Sequence, residues 1–509
     1  MRRLLLLLIF LVPALVDAQT TNVVFEKTKN MKRHAGFYTF YIDDAAGKIW
    51  LDIDKIGQEF LIVNSLPAGL GSNDIGLDRG QIGDTKIVFF ERVGKKLLLV
   101  QPNYDYRASS SDKNEKRAVK ESFASSTIGS FVIEEEQNGH LLVDATSFFV
   151  KDAHGVADKI KAMRQGTYSF NEQRSSMYFN NTKNFPLNSE FEATITFTGG
   201  ADAGRFVTSV TPSPEAITVR MHYSFVQLPD NQYKPRKYDI RSGYFGISYF
   251  DYSSDFTTPI EQMYISRHRL AKKDPTAQLS EPVKPIVYYL DNGTPEPIRS
   301  ALLEGGRWWN QAFESAGFIN AFQVKILPET ADPMDLRYNM INWVHRSTRG
   351  WSFGGAVVDP RTGEIIKGNV TLGSLRVRHD YLIAQGLLAP FANGTIPADN
   401  KMLQMALQRL KQLAAHEVGH TIGLMHNYIS SAQNRASVMD YPPPMTTLDS
   451  NNEINLANAY TNEIGDWDKV SIQYGYKQFP KGTNEAIALD KIVTDASKKG
   501  LTFISDRDA

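Results

Sequence analysis

The sequence predicts an α+β chain, β-rich as far as about residue 280 and mixed after it, with one long helix carrying the candidate chemistry. Three observations predict this. Apolar residues recur at every second position along several stretches of the first half, and helical spacing joins that pattern in the second. A single eleven-residue segment, His416 to His426 ("HEVGHTIGLMH"), holds three of the chain's ten histidines.

At 509 residues the chain exceeds the roughly 100–200 residues of an ordinary domain, so more than one core is expected. Its 42% hydrophobic and 22% charged content is that of a globular protein. With 56 basic and 56 acidic residues there is no net charge to attract a polyanion, and no nucleic-acid partner is implied. The chain has no cysteine, so neither disulfides nor thiolate ligands are available to it.

Residues 1–18 read as a signal peptide. Arg2 and Arg3 form a basic start, Leu4 to Val12 an apolar run, and Val16-Asp17-Ala18 a small-residue cleavage site. No later stretch reaches about 18 uninterrupted apolar residues. An exported protein without a membrane span is therefore expected, in a periplasmic, cell-surface or extracellular location.

A short β segment is expected over residues 19–60 and a β-rich domain of unassigned role over 61–280. Ile49, Leu51 and Ile53 recur at period two, and "KIVFFERVGKKLLLVQ" reads as two strands turning at Val93 to Lys96. Phe191, Ala193, Ile195 and Phe197 alternate with polar residues, as do Ile217, Val219, Met221, Tyr223 and Phe225. The polar run Ala108 to Glu121 reads as a surface loop. Gly69 to Gly80 ("GLGSNDIGLDRG") also reads as a loop, because it lacks the third glycine of a dinucleotide fingerprint and the Gly-Lys-Ser/Thr end of a phosphate loop.

In the region 281–509, "PIVYYL" reads as a strand, and Thr294 as the cap of a helix with Pro295 at its first position and Gly317 at its end. "FQVKIL" and Asn339 to Val344 read as strands, and Gly354 to Gly373 as a hairpin turning at "DPRTGE". A second long helix begins near Asp399 or Asn400, with Leu403, Ala406, Leu407, Leu410, Leu413 and Ala414 as its buried stripe.

That helix places His416 and His420 one turn apart on the same face, where both imidazoles can reach one ion. Glu417 is rotated about 100° from His416, which suits a base holding a water better than a third ligand. Gly423 can take positive φ and end the helix, so that the returning chain brings His426 to the ion. Three neutral imidazoles with one open position form a catalytic rather than a structural zinc site, so one Zn2+ is expected. Zinc lowers the pKa of its water to about 7, and Glu417 is placed to take the proton. The other seven histidines lack ligand-spaced partners and read as non-catalytic, with His222 beside Arg220 on the polar face of its strand.

The segment resembles the zinc-binding consensus of the metzincin metalloproteases, His-Glu-x-x-His-x-x-Gly-x-x-His followed by a methionine turn. In "SVMDY" the resemblance implies that Met439 lies beneath the ligands. It also implies that Tyr441 contacts the zinc or the oxyanion, as a tyrosine does in the astacins and serralysins. Together with "DPRTGEI", "QYGY" at Gln473 to Tyr476 and "YKPRKYDIRSGYF" at Tyr233 to Phe245, the motif is similar to large secreted bacterial metzincin-like proteases with an uncharacterised β-rich N-terminal region.

The family's fold, a twisted mixed sheet with an active-site helix, is thereby implied for 281–509, and a peptide or protein is the implied substrate. Members of that family continue well past this position, which implies a truncation at "FISDRDA". An edge strand ahead of the helix seats the substrate in metzincins, and Gly355, Ala356 and Val357 are its best match here. Zinc peptidases whose third ligand is a downstream glutamate are excluded, because none occurs from Thr421 to Asn452.

The expected function is a secreted zinc endopeptidase. Two alternatives stay open at this point: a noncatalytic exported surface-binding protein with a structural or vestigial metal site, and a zinc exopeptidase. A cysteine switch is chemically impossible in this chain. The first half is therefore either an inhibitory segment acting by other means or a permanent accessory domain.

Overall fold

The computed structural model describes residues 25–72, 74–347, 351–389 and 400–508. The expected signal peptide, residues 1–18, lies outside them. Among the described residues no helix is long and apolar enough to cross a membrane.

The period-two stretches of the first half assemble into one 13-stranded sheet. Strands Asn188–Gly199 and Ala216–Gln227 pair antiparallel with Phe191 opposite Tyr223 and Ile195 opposite Val219. Phe191, Ala193, Ile195 and Phe197 fall with Ile217, Val219, Met221, Tyr223 and Phe225 on one buried face, in a core shared with Phe60, Phe90 and Phe149. Burying each such side chain contributes about 1.5–3 kcal/mol, which is what selects the register.

Two sequence expectations change here. Within the segment expected over 19–60, the described residues 25–60 are not separate: strand Lys48–Ile53 pairs with His140–Asp144, and Phe60–Ala68 belongs to the same sheet. Alternation identifies a strand but not its neighbour, which here lies some ninety residues away in sequence. The polar run at 108–121 is not all loop either. Lys113–Ser122 is a helix whose first turn is capped by the Asp112 side chain, accepting from the Asn114 N–H at 2.8 Å.

The second half is built on a five-stranded sheet in the order Phe322–Ile326, Ile286–Leu290, Asn339–Val344, Ile365–Gly373, Phe353–Val358. The first four are parallel, and the last is an antiparallel edge strand. Helix Lys401–Thr421 packs on one face, where Ile341, Trp343, Val370 and Leu372 meet Leu410, Leu413 and Val418. The helix expected from Thr294 begins instead at Ile298, because Thr294 Oγ1 donates to the Asp291 carbonyl and Pro297 takes the cap. It also divides into Ile298–Arg307 and Trp309–Ser315, and Gly317 ends it with φ +94°. Helices Leu375–Leu388, Asp466–Tyr476 and Glu485–Lys498 are not among the elements expected from sequence.

The boundary expected near residue 280 falls earlier. Tyr244, Ile265 and Leu270 are buried in the second core, and Arg236 donates to the Tyr474 carbonyl at 2.6 Å and to Glu485 at 2.7 Å. Strands Gly246–Asp251 and Glu261–Ile265 pair with each other, and the first also pairs with Tyr106–Arg107 of the first half, while Ile265 packs in the second core.

The two halves meet face to face. Leu61, Val63, Ile87 and Val226 of the large sheet pack with Leu336 and Val357 of the second half. Beside them lies a cavity of about 300 Å³ lined by Glu190, His222, Ser224, Asn342 and Lys367, among others. His222 is therefore not on a solvated face; it is 5% exposed. Burial alone would lower its pKa. Its hydrogen bonds to Glu190 and Glu192 outweigh that and push it up to about 9. The polar alternation was read correctly, but the face it marks is covered by the other half of the chain.

Candidate metal centre

Helix Lys401–Thr421 starts at Asn400, whose side chain accepts from the Leu403 N–H at 3.1 Å. By its last two turns it is enclosed on nearly every side. His416 is fully buried and Glu417 is 2% exposed. The rings of His416 and His420 are 4.8 Å apart, as one-turn spacing requires.

Gly423 then turns the chain back with φ +109°. A Cβ at this position would lie 2.0 Å from the Ser266 carbonyl oxygen and 2.9 Å from the Tyr244 ring. Gly423→Ala is accordingly expected to cost more than the 1–3 kcal/mol typical of a strained left-handed residue, because clash adds to strain. Thermal unfolding together with zinc titration checks this, and a variant with wild-type stability and affinity would contradict it.

The return delivers His426, whose Nε2 lies 3.2 Å from that of His420. One ligand atom from each of His416, His420 and His426 lies within 4.8 Å of the others. Each ring is oriented from behind. His416 Nδ1 bonds the Val438 carbonyl at 2.8 Å, and His420 Nδ1 bonds the Leu424 carbonyl at 2.7 Å. His426 Nδ1 meets Asp506 at 2.9 Å and the Tyr428 hydroxyl at 3.1 Å.

For His416 and His420 those carbonyl partners assign the proton to Nδ1, which leaves Nε2 as a lone-pair donor. The Nε2 of His416 is buried with no hydrogen-bond partner. Burial holds His416 well below the usual imidazole range and lowers His420 to about 4, so both are neutral donors. Convergent, back-anchored imidazoles with an unsatisfied inward nitrogen fit a zinc ion.

Glu417 stands beside this group and outside it. Burial pushes its carboxyl up to about 8, against the pull of the Arg409 and Arg346 guanidiniums. Met439 is fully buried, and its sulfur lies against Gly419, beneath the histidines. The turn that carries it is held by Asp468, which accepts from Ser437 Oγ at 2.6 Å and from the N–H groups of Val438 and Gly465, each at 2.9 Å. Because the Val438 carbonyl orients His416, Asp468 acts on the ligand through this turn.

Tyr441 is 44% exposed, and its ring lies 4.8 Å from that of His416 and 4.7 Å from that of His426. The edge strand Phe353–Val358 runs along the helix so closely that a Cβ on Gly354 would lie 2.1 Å from the Glu417 carbonyl oxygen. Among the described residues the strand is paired on one side only. Gly355 and Ala356 are half-buried, whereas the Val357 side chain points into the packing between the two halves.

Three residues at this site were given no role from sequence. Tyr428 stands two residues past the third histidine. Asp468 and Asp506 lie far along the chain, and Asp506 falls in the ending that was read only as a truncation. No local pattern marks them, because each acts by closing a long-range hydrogen bond.

A family model described as Met-zincin matches residues 398–509, and one described as a domain of unknown function (DUF5117) matches residues 80–273. A comparison with curated proteins returned no match. The first match and the three-histidine cluster together mark the C-terminal part of the chain as a zinc metallopeptidase-like domain.

Proposed function

We propose that the chain is an exported zinc endopeptidase of metzincin type, with His416, His420 and His426 as ligands and Glu417 as general base. The observation that carries the reading is the buried Glu417 carboxyl standing beside three converging imidazoles without joining them. Removing a carboxyl from water is costly, and a structural metal site has no use for one there. That cost disfavours the noncatalytic alternative.

Zinc held by three imidazoles supplies Lewis acidity toward a carbonyl and acidifies water. The chain's own residues supply the rest. A dication held beside it would favour the ionised form of Glu417, and the carboxylate then takes the proton of the attacking water and returns it to the departing amine. The open side of Phe353–Val358 accepts a peptide as an added strand, fixing its backbone beside the helix. The Tyr441 hydroxyl donates to the oxygen on which negative charge develops. The basic and apolar residues 2–12 support export.

Digestion of a peptide library by purified protein, with zinc and after chelation, tests this reading by mass spectrometry of the products. Internal cleavage that disappears on chelation and returns with zinc is expected. Products trimmed only from chain ends would replace the endopeptidase reading with the exopeptidase one, and no cleavage by zinc-loaded protein would reject both.

A further inference from the structure

We infer that Phe245, which lies within the segment matched as a domain of unknown function, forms part of the substrate cleft and selects an apolar side chain next to the scissile bond. The inference rests on the peptidase reading and extends it to a residue far upstream of the zinc motif.

Phe245 is 44% exposed, and its ring lies 6.0 Å from that of His420, tilted by 46°. It is not carried by a loose loop. Residues 243–245 lie alongside the segment that follows the Gly423 turn: the Phe245 N–H donates to the Gly423 carbonyl at 2.7 Å, and the Met425 N–H donates to the Gly243 carbonyl at 2.8 Å. Tyr244 bridges antiparallel to Leu424, and on the other side the Ser266 N–H donates to the Phe245 carbonyl at 2.8 Å. Extended backbone sends successive side chains to opposite faces. Tyr244 is accordingly buried in the core, while Phe245 is held out beside a ligand ring.

The placement complements that of Tyr441. Tyr441 has ring contacts with His416 and His426, whereas the ring contact of Phe245 is with His420. Exposed aromatic rings therefore stand against different members of the triad. Consecutive Cα atoms are about 3.8 Å apart, so a residue next to a bond cleaved over the histidines comes within reach of a ring 6.0 Å from His420. An aromatic surface fixed by backbone hydrogen bonds offers apolar contact there without the entropy cost of ordering a mobile side chain.

The test compares kcat/KM for zinc-loaded wild-type protein, Phe245→Ala and Phe245→Lys on peptides that differ only at the residues flanking the cleaved bond, with zinc content and unfolding temperature as folding controls. Wild type is expected to favour large apolar residues on one side of the bond. In Phe245→Ala the ratio of apolar to glycine peptides should fall about tenfold or more. Phe245→Lys, a change that an exposed position tolerates, should turn the preference toward acidic residues. Cleavage with an unchanged side-chain preference in both variants would overturn this inference and leave the peptidase reading standing. Absence of cleavage by wild type would overturn both.

Discussion

Glu417→Gln is expected to keep its zinc and lose peptide hydrolysis by about 10²–10⁴-fold, the range attributable to a general base. Glutamine has nearly the shape of glutamate, so the packing around this 2% exposed side chain is retained. The three histidines and their backing partners Val438, Leu424 and Asp506 are untouched. What is lost is the ability to accept a proton. Zinc analysis of the purified variant alongside its progress curves separates the two effects. Chelator-sensitive activity within a few-fold of wild type would remove Glu417 from the chemistry, whereas loss of zinc would make it a structural support for the ligands.

Asp78→Ala is expected to destabilise the protein by about 3–5 kcal/mol, the usual cost of leaving one partner of a buried ion pair alone. Asp78 pairs with the Arg346 guanidinium, and their side chains are 0% and 2% exposed. The pair fastens the Gly69–Gly80 loop of the first half to the segment after strand Asn339–Val344. The Ser347 N–H donates to the Gly71 carbonyl at 3.0 Å across the same junction. Asp78→Leu combined with Arg346→Leu should recover much of the loss, since it removes both charges together. Denaturant midpoints of the two variants test this. A cost below about 1 kcal/mol for Asp78→Ala would put the pair in the class of solvated surface bridges.

If the pair behaves as expected, the first half is fastened to the second rather than draped over it. The cores agree with this, since Val357 of the edge strand is packed with Leu61 and Val63. Of the two roles left open for the first half, the packing favours a permanent accessory domain.

The three-histidine cluster was legible in the sequence because its geometry is local. Two histidines four apart on a helix must share a face, and a glycine three residues on can turn the chain, which delivers His426. Strand alternation was legible for the same reason, and so was the Gly354 to Gly373 hairpin, observed as Phe353–Val358 paired with Ile365–Gly373. The failures share the opposite cause. His222 looked solvated because its strand alternates, yet the Asn188–Gly199 strand and the second half enclose it. Gly69 to Gly80 is loop among its described residues, as expected, but nothing in it signalled that Asp78 would meet a partner 268 residues away.

Local periodicity and spacing were thus enough to determine five strands of the first half, the long helix of the second, and the nitrogens and carboxyl that could meet on it. Only the tertiary structure decided which core residues 233–270 join, which polar face is covered, and which distant residues orient the histidines. It decided these because a hydrogen bond or an ion pair between segments far apart in the chain leaves no periodic trace in either segment.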